Sequence, residues 1–333
     1  MTTGAEDAGF ALVTGGGGFL GRHVAAVLAA RGARVRAFDL GFTPPLPEGV
    51  EAVVGDVRDR RALEPALEGC DRLYHLAALT DLWQPDSSLY EAVNVEGTRT
   101  VFEAAAAAGV PRAVHVSSYV TLIAGPRKPE RIVSEDDPPP ADRLIGPYAR
   151  SKGRSEALAL SFADRLEVVA VLPSAPIGSL DHRLTPPMRL IRDLLAGALP
   201  ATLDCLVNFV GARAVADGIV AASDRGTSGR RYLLAGEDAT MAEFLAAFRE
   251  VSGKKAPRWH VPYALALATA AVEEGLVSRL TKRRPTAPLA GVRIAGRSIR
   301  FDASRARAEL GFDPPPLDEA LREAIAWLHR CDP

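Results

Sequence analysis

The feature that most constrains this chain is a glycine run, Thr14-Gly-Gly-Gly-Gly-Phe-Leu-Gly21, set directly after a short apolar stretch and directly before an alanine-rich one. Gly15, Gly18 and Gly21 recur every third residue there. Without Cβ atoms, the backbone can turn tightly, approach a pyrophosphate and let a helix pack against a strand, while the helix start offers free N–H groups and partial positive charge. A strand, a glycine turn and a helix in that order predict a dinucleotide site. A glycine-rich turn without a ligand is the plainer alternative, and the residues around the run decide between the two.

Those surroundings alternate short β-branched runs with longer helical segments, as parallel strands joined by crossover helices do. Strands are expected at Phe10 to Thr14, Arg34 to Asp39, Glu51 to Val54, Arg72 to His75, Ala113 to Ser117 and Glu167 to Leu172. Helices are expected at Leu20 to Ala30, Arg60 to Leu67, Leu89 to Ala108 and Tyr148 to Asp164. The fold class is therefore α/β, a Rossmann doubly wound parallel sheet with a smaller, interleaved C-terminal substrate domain. After Pro173 prolines break the alternation. The boundaries expected are 1–172 plus about 204–230 for the nucleotide-binding domain, and 173–203 plus 231–333 for the substrate region. In that division the run Leu206 to Val210 and the following helix rejoin the large sheet, and Arg231 to Leu234 returns to the smaller region.

Charge and cysteine usage exclude several classes. Forty Lys and Arg against 41 Asp and Glu leave a formal charge of −1, too little field to hold a nucleic acid. Cys70, Cys205 and Cys331 form neither a CxxC pair nor a metal-ligand cluster, so no metal is expected and a reducing, cytoplasmic compartment is. The amino terminus lacks a basic and apolar leader, and the longest apolar segment, around Ala264 to Val272, falls well short of the roughly 20 residues of a spanning helix.

Asp39 closes the second strand 18 residues after Gly21, where a carboxylate accepts hydrogen bonds from adenosine ribose hydroxyls and repels a 2′-phosphate. NAD is favoured, with NADP the alternative that Arg34 or Arg36 would serve. Asp56 and Val57 follow the third strand and face an adenine edge, or Asp56 caps the next helix. Tyr148 and Lys152, four residues apart on a helix, share one face. A phenol beside an ammonium can exchange a proton near neutral pH, although such a pair taken alone is usually ordinary helix surface. Ser117 and Ser118 end the fifth strand at the ligand-binding edge, and Ser118 is the first choice to bond a substrate oxygen.

Together with His75-Leu-Ala-Ala78, Asn94-Val-Glu-Gly-Thr98 and Leu172-Pro173, these motifs resemble the extended short-chain dehydrogenase/reductase superfamily over essentially the whole chain. Ile145-Gly-Pro-Tyr148 and the segment Pro262 to Trp327 are similar to dihydroflavonol-reductase-like, hopanoid-associated epimerase-like and 3β-hydroxysteroid dehydrogenase-like members. The resemblance implies a Ser118, Tyr148 and Lys152 triad, with Asn94 supporting a proton path to the lysine. It further implies cofactor contacts from Phe19, Leu20, Leu76, Ala77, Ala78 and Pro173, and a homodimer seam of two long helices. The run Gly211-Ala-Arg-Ala214 departs from the histidine and aspartate common in such relatives.

The substrate is less defined. Arg183, Arg189, Arg192 and Arg213 are candidates for a sugar-nucleotide diphosphate, whereas Leu184, Met188, Leu190, Ile191, Leu194, Leu195, Leu199 and Leu203 give the same region an apolar wall or an ordinary core. The segment 262–284, apolar and ending in Arg279, Lys282, Arg283 and Arg284, is either a packing helix or a peripheral contact with the inner face of a membrane. The expected activity is an NAD(P)-dependent oxidoreductase interconverting a ketone and a secondary alcohol on a lipid-, sterol- or terpenoid-type small molecule. The rivals are an NAD-dependent nucleotide-sugar epimerase or dehydratase, and an NAD-binding sensor without turnover.

Overall fold

The computed structural model describes residues 9–126, 130–136 and 138–331. Among them a seven-stranded parallel sheet is built from β1 (Phe10–Thr14), β2 (Arg34–Asp39), β3 (Val50–Val54), β4 (Cys70–His75), β5 (Arg112–Val116), β6 (Glu167–Pro173) and β7 (Arg231–Leu234), in spatial order β3-β2-β1-β4-β5-β6-β7. The order reverses between β1 and β4, and ligands of open α/β sheets bind in the crevice at that reversal.

Alternation along each strand feeds two cores. Ala11 and Val13 of β1 point to one face, under helices α1 (Phe19–Ala30) and Ala212–Arg225, where Val24, Val27, Val215 and Ile219 cover them. Leu12 points to the other, under Leu63 and Leu67 of α2 (Arg60–Leu67) and Val101 and Phe102 of helix α3, which runs over 88–107. Because both faces are covered, the strands read as continuous apolar runs such as Val168 to Leu172. Asp59 caps α2 by accepting from the Arg61 N–H, so Asp56 is not the cap.

The smaller lobe holds a three-stranded sheet in which Leu206–Gly211 pairs in parallel with Ala175–Ile177 and antiparallel with Glu237–Thr240. Its core joins Ile177, Met188, Ile191, Phe209, Phe244 and Leu321. The expectation for two strands is thereby reversed. Leu206 to Val210 belongs to the small sheet, and Arg231 to Leu234 extends the large one beside β6. The physical reason lies in the faces. Tyr232, Leu233 and Leu234 are all buried, as a strand of a sheet covered on both faces must be, whereas Asn208 interrupts the other run and bonds Gly236 O and Asp238. Helix Ala212–Arg225 nevertheless packs on the large sheet.

Candidate active site

One cavity of about 740 Å³ opens along the carboxyl ends of the parallel strands and runs on into the smaller lobe. Gly15, Gly18, Phe19, Leu20 and Gly21 form its floor at β1. Asp39, then Asp56 and Val57, line it beyond β2 and β3, Leu76 to Ala78 beyond β4, and Pro173 at the end of β6. Ser117, Ser118, Tyr148 and Lys152 complete the same wall.

The glycine turn fits a pyrophosphate for reasons visible in its backbone. Gly15 has φ +71°, and a Cβ there would lie 2.7 Å from the Ala77 nitrogen; at Gly21 it would lie 2.0 Å from the Gly15 carbonyl oxygen. A side chain at either position would push α1 away from the turn and fill the cradle. Asp39 accepts from the Gly17 N–H at 3.0 Å and the Leu40 N–H at 2.7 Å, which fixes its carboxylate at the cavity wall where ribose hydroxyls would sit. Neither Arg34 nor Arg36 lines the cavity. Arg36 bonds Glu51 and the Glu68 carbonyl, and both guanidiniums lie over the Phe10 ring at the opposite edge of the sheet. Asp56 is paired with Arg58, which holds its carboxyl below the usual range.

Tyr148 and Lys152 project from helix α4 (Gly146–Leu160), and both are almost wholly buried. Burial pushes the phenol up to about 12, opposed by a hydrogen bond with Ser118. Burial also brings the lysine down to about 8, opposed by the carboxylate of Glu156, and its Nζ donates to the Val116 carbonyl at 2.8 Å. The neighbouring serine differs: the Ser117 hydroxyl donates to Glu156, which also holds Thr121 at 3.2 Å and Arg231 at 2.5 Å. The Ser117 hydroxyl is thus engaged beneath the wall, and Ser118 is the serine beside the phenol.

Asn94 does not line the cavity. It stands behind the wall in Glu91–Glu96, a π-wound stretch of α3 of the kind frequent at functional sites. Its Oδ1 accepts from the Leu79 N–H at 2.7 Å, and its Nδ2 donates to the Leu79 carbonyl and to Ser151 Oγ. Ser151 in turn donates to the Tyr148 carbonyl. Both amide hydrogens are committed, so the side chain braces the 76–79 wall against α4. A second chain of bonds starts at the glycine turn: the Ala77 N–H reaches Thr14 Oγ1 at 3.4 Å, and Thr14 bonds His75 Nδ1 at 2.7 Å. On the far side of the ring, His75 Nε2 bonds Thr98 Oγ1, whose hydroxyl donates to the Asn94 carbonyl. Because Thr98 gives its proton to that carbonyl, it can only accept from Nε2–H, so in the neutral ring Nδ1 is the acceptor toward Thr14. Burial, with Lys152 adding to it, lowers His75 to about 3.

Three polar residues in the wall escaped the sequence reading. Ser174 Oγ, Asp181 Oδ1 and Arg297 Nε are buried with no partner among the described residues, and all three residues line the cavity. Ser174, directly after Pro173 at a strand end, had a positional signal; Arg297 had none. Of the four arginines considered for a diphosphate, Arg189 pairs with Asp81, Arg192 with Asp193 and Arg213 with Asp217, and none of these lines the cavity. Arg183 does line it, close enough to Arg22, next to the glycine turn, to help lower that residue's pKa. Leu190, Leu199 and Leu203 line the far end, together with Leu206, Phe209, Ile294 and Ile299, whereas Met188, Ile191 and Leu194 are core.

Residues 11–235 match the family described as NAD dependent epimerase/dehydratase. Over 326 residues the chain is 35% identical to the putative dihydroflavonol 4-reductase of Synechocystis sp., covering 95% of this chain and 93% of that protein. Over the same length it is 36% identical to sterol demethylase protein B of Methylococcus capsulatus, covering 95% and 97%. The solved structure of MoeE5 in complex with UDP-glucose and NAD matches with TM-score 0.75 at 27% identity, over 97% of this chain and 99% of that one. A glycine cradle, an aspartate at the end of β2 and a tyrosine–lysine pair on α4, all facing one crevice, agree with these matches, and the chain belongs to the NAD dependent epimerase/dehydratase family of enzymes, within the extended short-chain dehydrogenases/reductases.

Proposed function

We propose that the protein binds NAD along the 15–21 turn and Asp39 and interconverts a secondary alcohol and a ketone on an apolar, sterol- or terpenoid-type substrate. The observation that carries the substrate class is the far half of the cavity. It is walled by Leu82, Ile123, Leu190, Leu203, Phe209 and Ile294, while three of the four arginines suited to a diphosphate are ion-paired elsewhere. Arg183, the fourth, lines the cavity within electrostatic reach of Arg22, the residue after the glycine turn. The kinship with sterol demethylase protein B points the same way.

Bound NAD supplies the acceptor or donor of hydride; the chain supplies position and proton chemistry. Tyr148 is held in hydrogen-bond reach of a substrate oxygen and takes the hydroxyl proton as the alcohol is oxidised, or returns it in reduction. Lys152, charged at neutral pH and buried in the same wall, is the cation available to favour a phenolate that burial opposes. Ser118 donates to the substrate oxygen as negative charge grows on it. Asn94 and Ser151 fix α4 against the 76–79 wall, so the phenol keeps its aim.

Tyr148→Phe separates binding from chemistry. NAD affinity should stay within a few-fold, and NADH consumption with a panel of 3-keto sterols and terpenoid ketones should fall by about a thousandfold. Undiminished turnover would remove the role given to the phenol. Turnover of UDP-glucose without net change in NADH, and none with the ketones, would instead favour a nucleotide-sugar epimerase, a reading to which the UDP-glucose complex of MoeE5 lends weight.

A further inference from the structure

We propose that the helical segment over 263–281 is a docking surface for an anionic lipid bilayer. Tyr263–Val272 continues into the π-wound turn Glu273–Ser278, and this rod presents large apolar side chains to water: Leu265, Val272, Leu276, Val277 and Leu280 are between 48% and 77% exposed. Leu265, Val272, Leu276 and Leu280 recur at intervals of seven, four and four residues, so they form one stripe. A lone exposed leucine needs no account, but an unbroken stripe does.

The charges along the rod are sorted. Its two acidic residues turn back into the protein: Glu273 accepts from the N–H and hydroxyl of Thr286 at 2.8 Å, and Glu274 from the Leu289 N–H at 2.8 Å. The basic residues that follow, Lys282 and Arg283, are exposed and make no ion pair among the described residues, whereas Arg284 is held by Asp81; the side chain of Arg279 lies outside the described residues. An apolar stripe with its carboxylates tucked inward and cations at one end complements a surface that is apolar below and negative at the headgroups. A second copy docking by the same face would give the cations no such partner, because among the described residues the carboxylates of the rod are already engaged.

The stripe also adjoins the cavity. Helix Leu289–Ala295 packs on Tyr263–Val272, Gly296 lies against the Tyr263 ring, and Gly291, Ile294 and Ala295 line the cavity from their other side. Docking there would set the apolar half of the cavity next to the lipid. The surface stands on its own side chains and holds whatever substrate the cavity takes.

Flotation of the full chain with phosphatidylcholine vesicles, with and without phosphatidylglycerol, tests it. The protein should float with the anionic vesicles and partition roughly thirtyfold less onto neutral ones, as two surface cations predict. Lys282→Gln with Arg283→Gln should remove that difference, and Leu276→Glu with Leu280→Glu should abolish flotation, while NAD affinity and thermal stability measured in solution stay unchanged in both. Unchanged NAD affinity keeps a failure here distinct from a failure of the cofactor site. A parent protein that stays behind with both vesicle types overturns the proposal. So does a glutamate variant that floats like the parent, or light scattering that shows a dimer split by those glutamates, which would assign the face to a second copy.

Discussion

Lys152 is nearly fully buried, and burial lowers its pKa from 10.5 to about 8, so at neutral pH the folded protein keeps a charged ammonium where a neutral group would be more stable. The difference of about 2.5 units corresponds to roughly 3 kcal/mol of destabilisation. Lys152→Met has similar length and no charge. It removes that cost but leaves the Val116 carbonyl without its donor, a loss of about 1 kcal/mol. The variant should therefore be about 2 kcal/mol more stable than the parent at about pH 7, seen as a Tm raised by a few degrees in the absence of NAD, while turnover is lost. The pH dependence identifies the cause. Between about 8 and 10.5 the unfolded chain holds a proton that the folded one has released, so the parent gains stability as pH rises through that window. By about pH 10 the parent should have recovered roughly 2–3 kcal/mol relative to the variant, cancelling the variant's advantage. Paired thermal unfolding at the two pH values measures it. A Lys152→Met protein less stable than the parent at neutral pH, or an advantage that does not change with pH, would refute the idea that the site holds its cation against the preference of the fold.

Two further outcomes follow from the same neighbourhood. Asp39→Ser removes the carboxylate that the Gly17 and Leu40 amides hold at the wall, and calorimetry should show NAD binding about tenfold to a hundredfold weaker with NADP binding improved; an unchanged ratio would mean that the ribose lies elsewhere. His75 is neutral in the fold and lowered from 6.5 to about 3, so its contribution is complete above about pH 6.5 and declines by about 1.4 kcal/mol per unit as pH falls below it. In urea unfolding at about pH 6.5 and about pH 4.5, His75→Gln should lose roughly 2–3 kcal/mol less than the parent, and equal losses would place the acid sensitivity in other groups.

What the sequence made legible was whatever a local pattern must obey. The 15–21 turn could be read because only glycine tolerates the approach of Ala77 and Gly15 backbone atoms, and the apolar runs of β1 to β6 because a strand covered on both faces has few other ways to be written. Tyr148 and Lys152 were legible as a pair because helical spacing alone puts them on one face. Where two short runs of similar character competed, as Leu206 to Val210 and Arg231 to Leu234 did, periodicity could not say which would enter the large sheet; Asn208, polar in the middle of its run, was the local sign of a strand with polar partners of its own, Gly236 and Asp238. Asn94 shows the same dependence on context. Its position in a motif said that it mattered to the site but not whether its amide faced the cavity or the Leu79 backbone, and that choice is made by the π turn, which no residue pattern announced.

The polar groups of the substrate half lie further from local pattern still. Asp181 and Arg297 reach one cavity from segments more than a hundred residues apart, each with a buried polar atom that has no partner among the described residues. Fold and cofactor cradle are specified by short-range rules, because a strand, a turn and a helix suffice to build them. Specificity is assembled from chain-distant groups whose meeting depends on the whole fold. Unpaired buried polar atoms cost stability wherever they occur, so the substrate proposed above fits this cavity only if it carries polar groups placed to meet them.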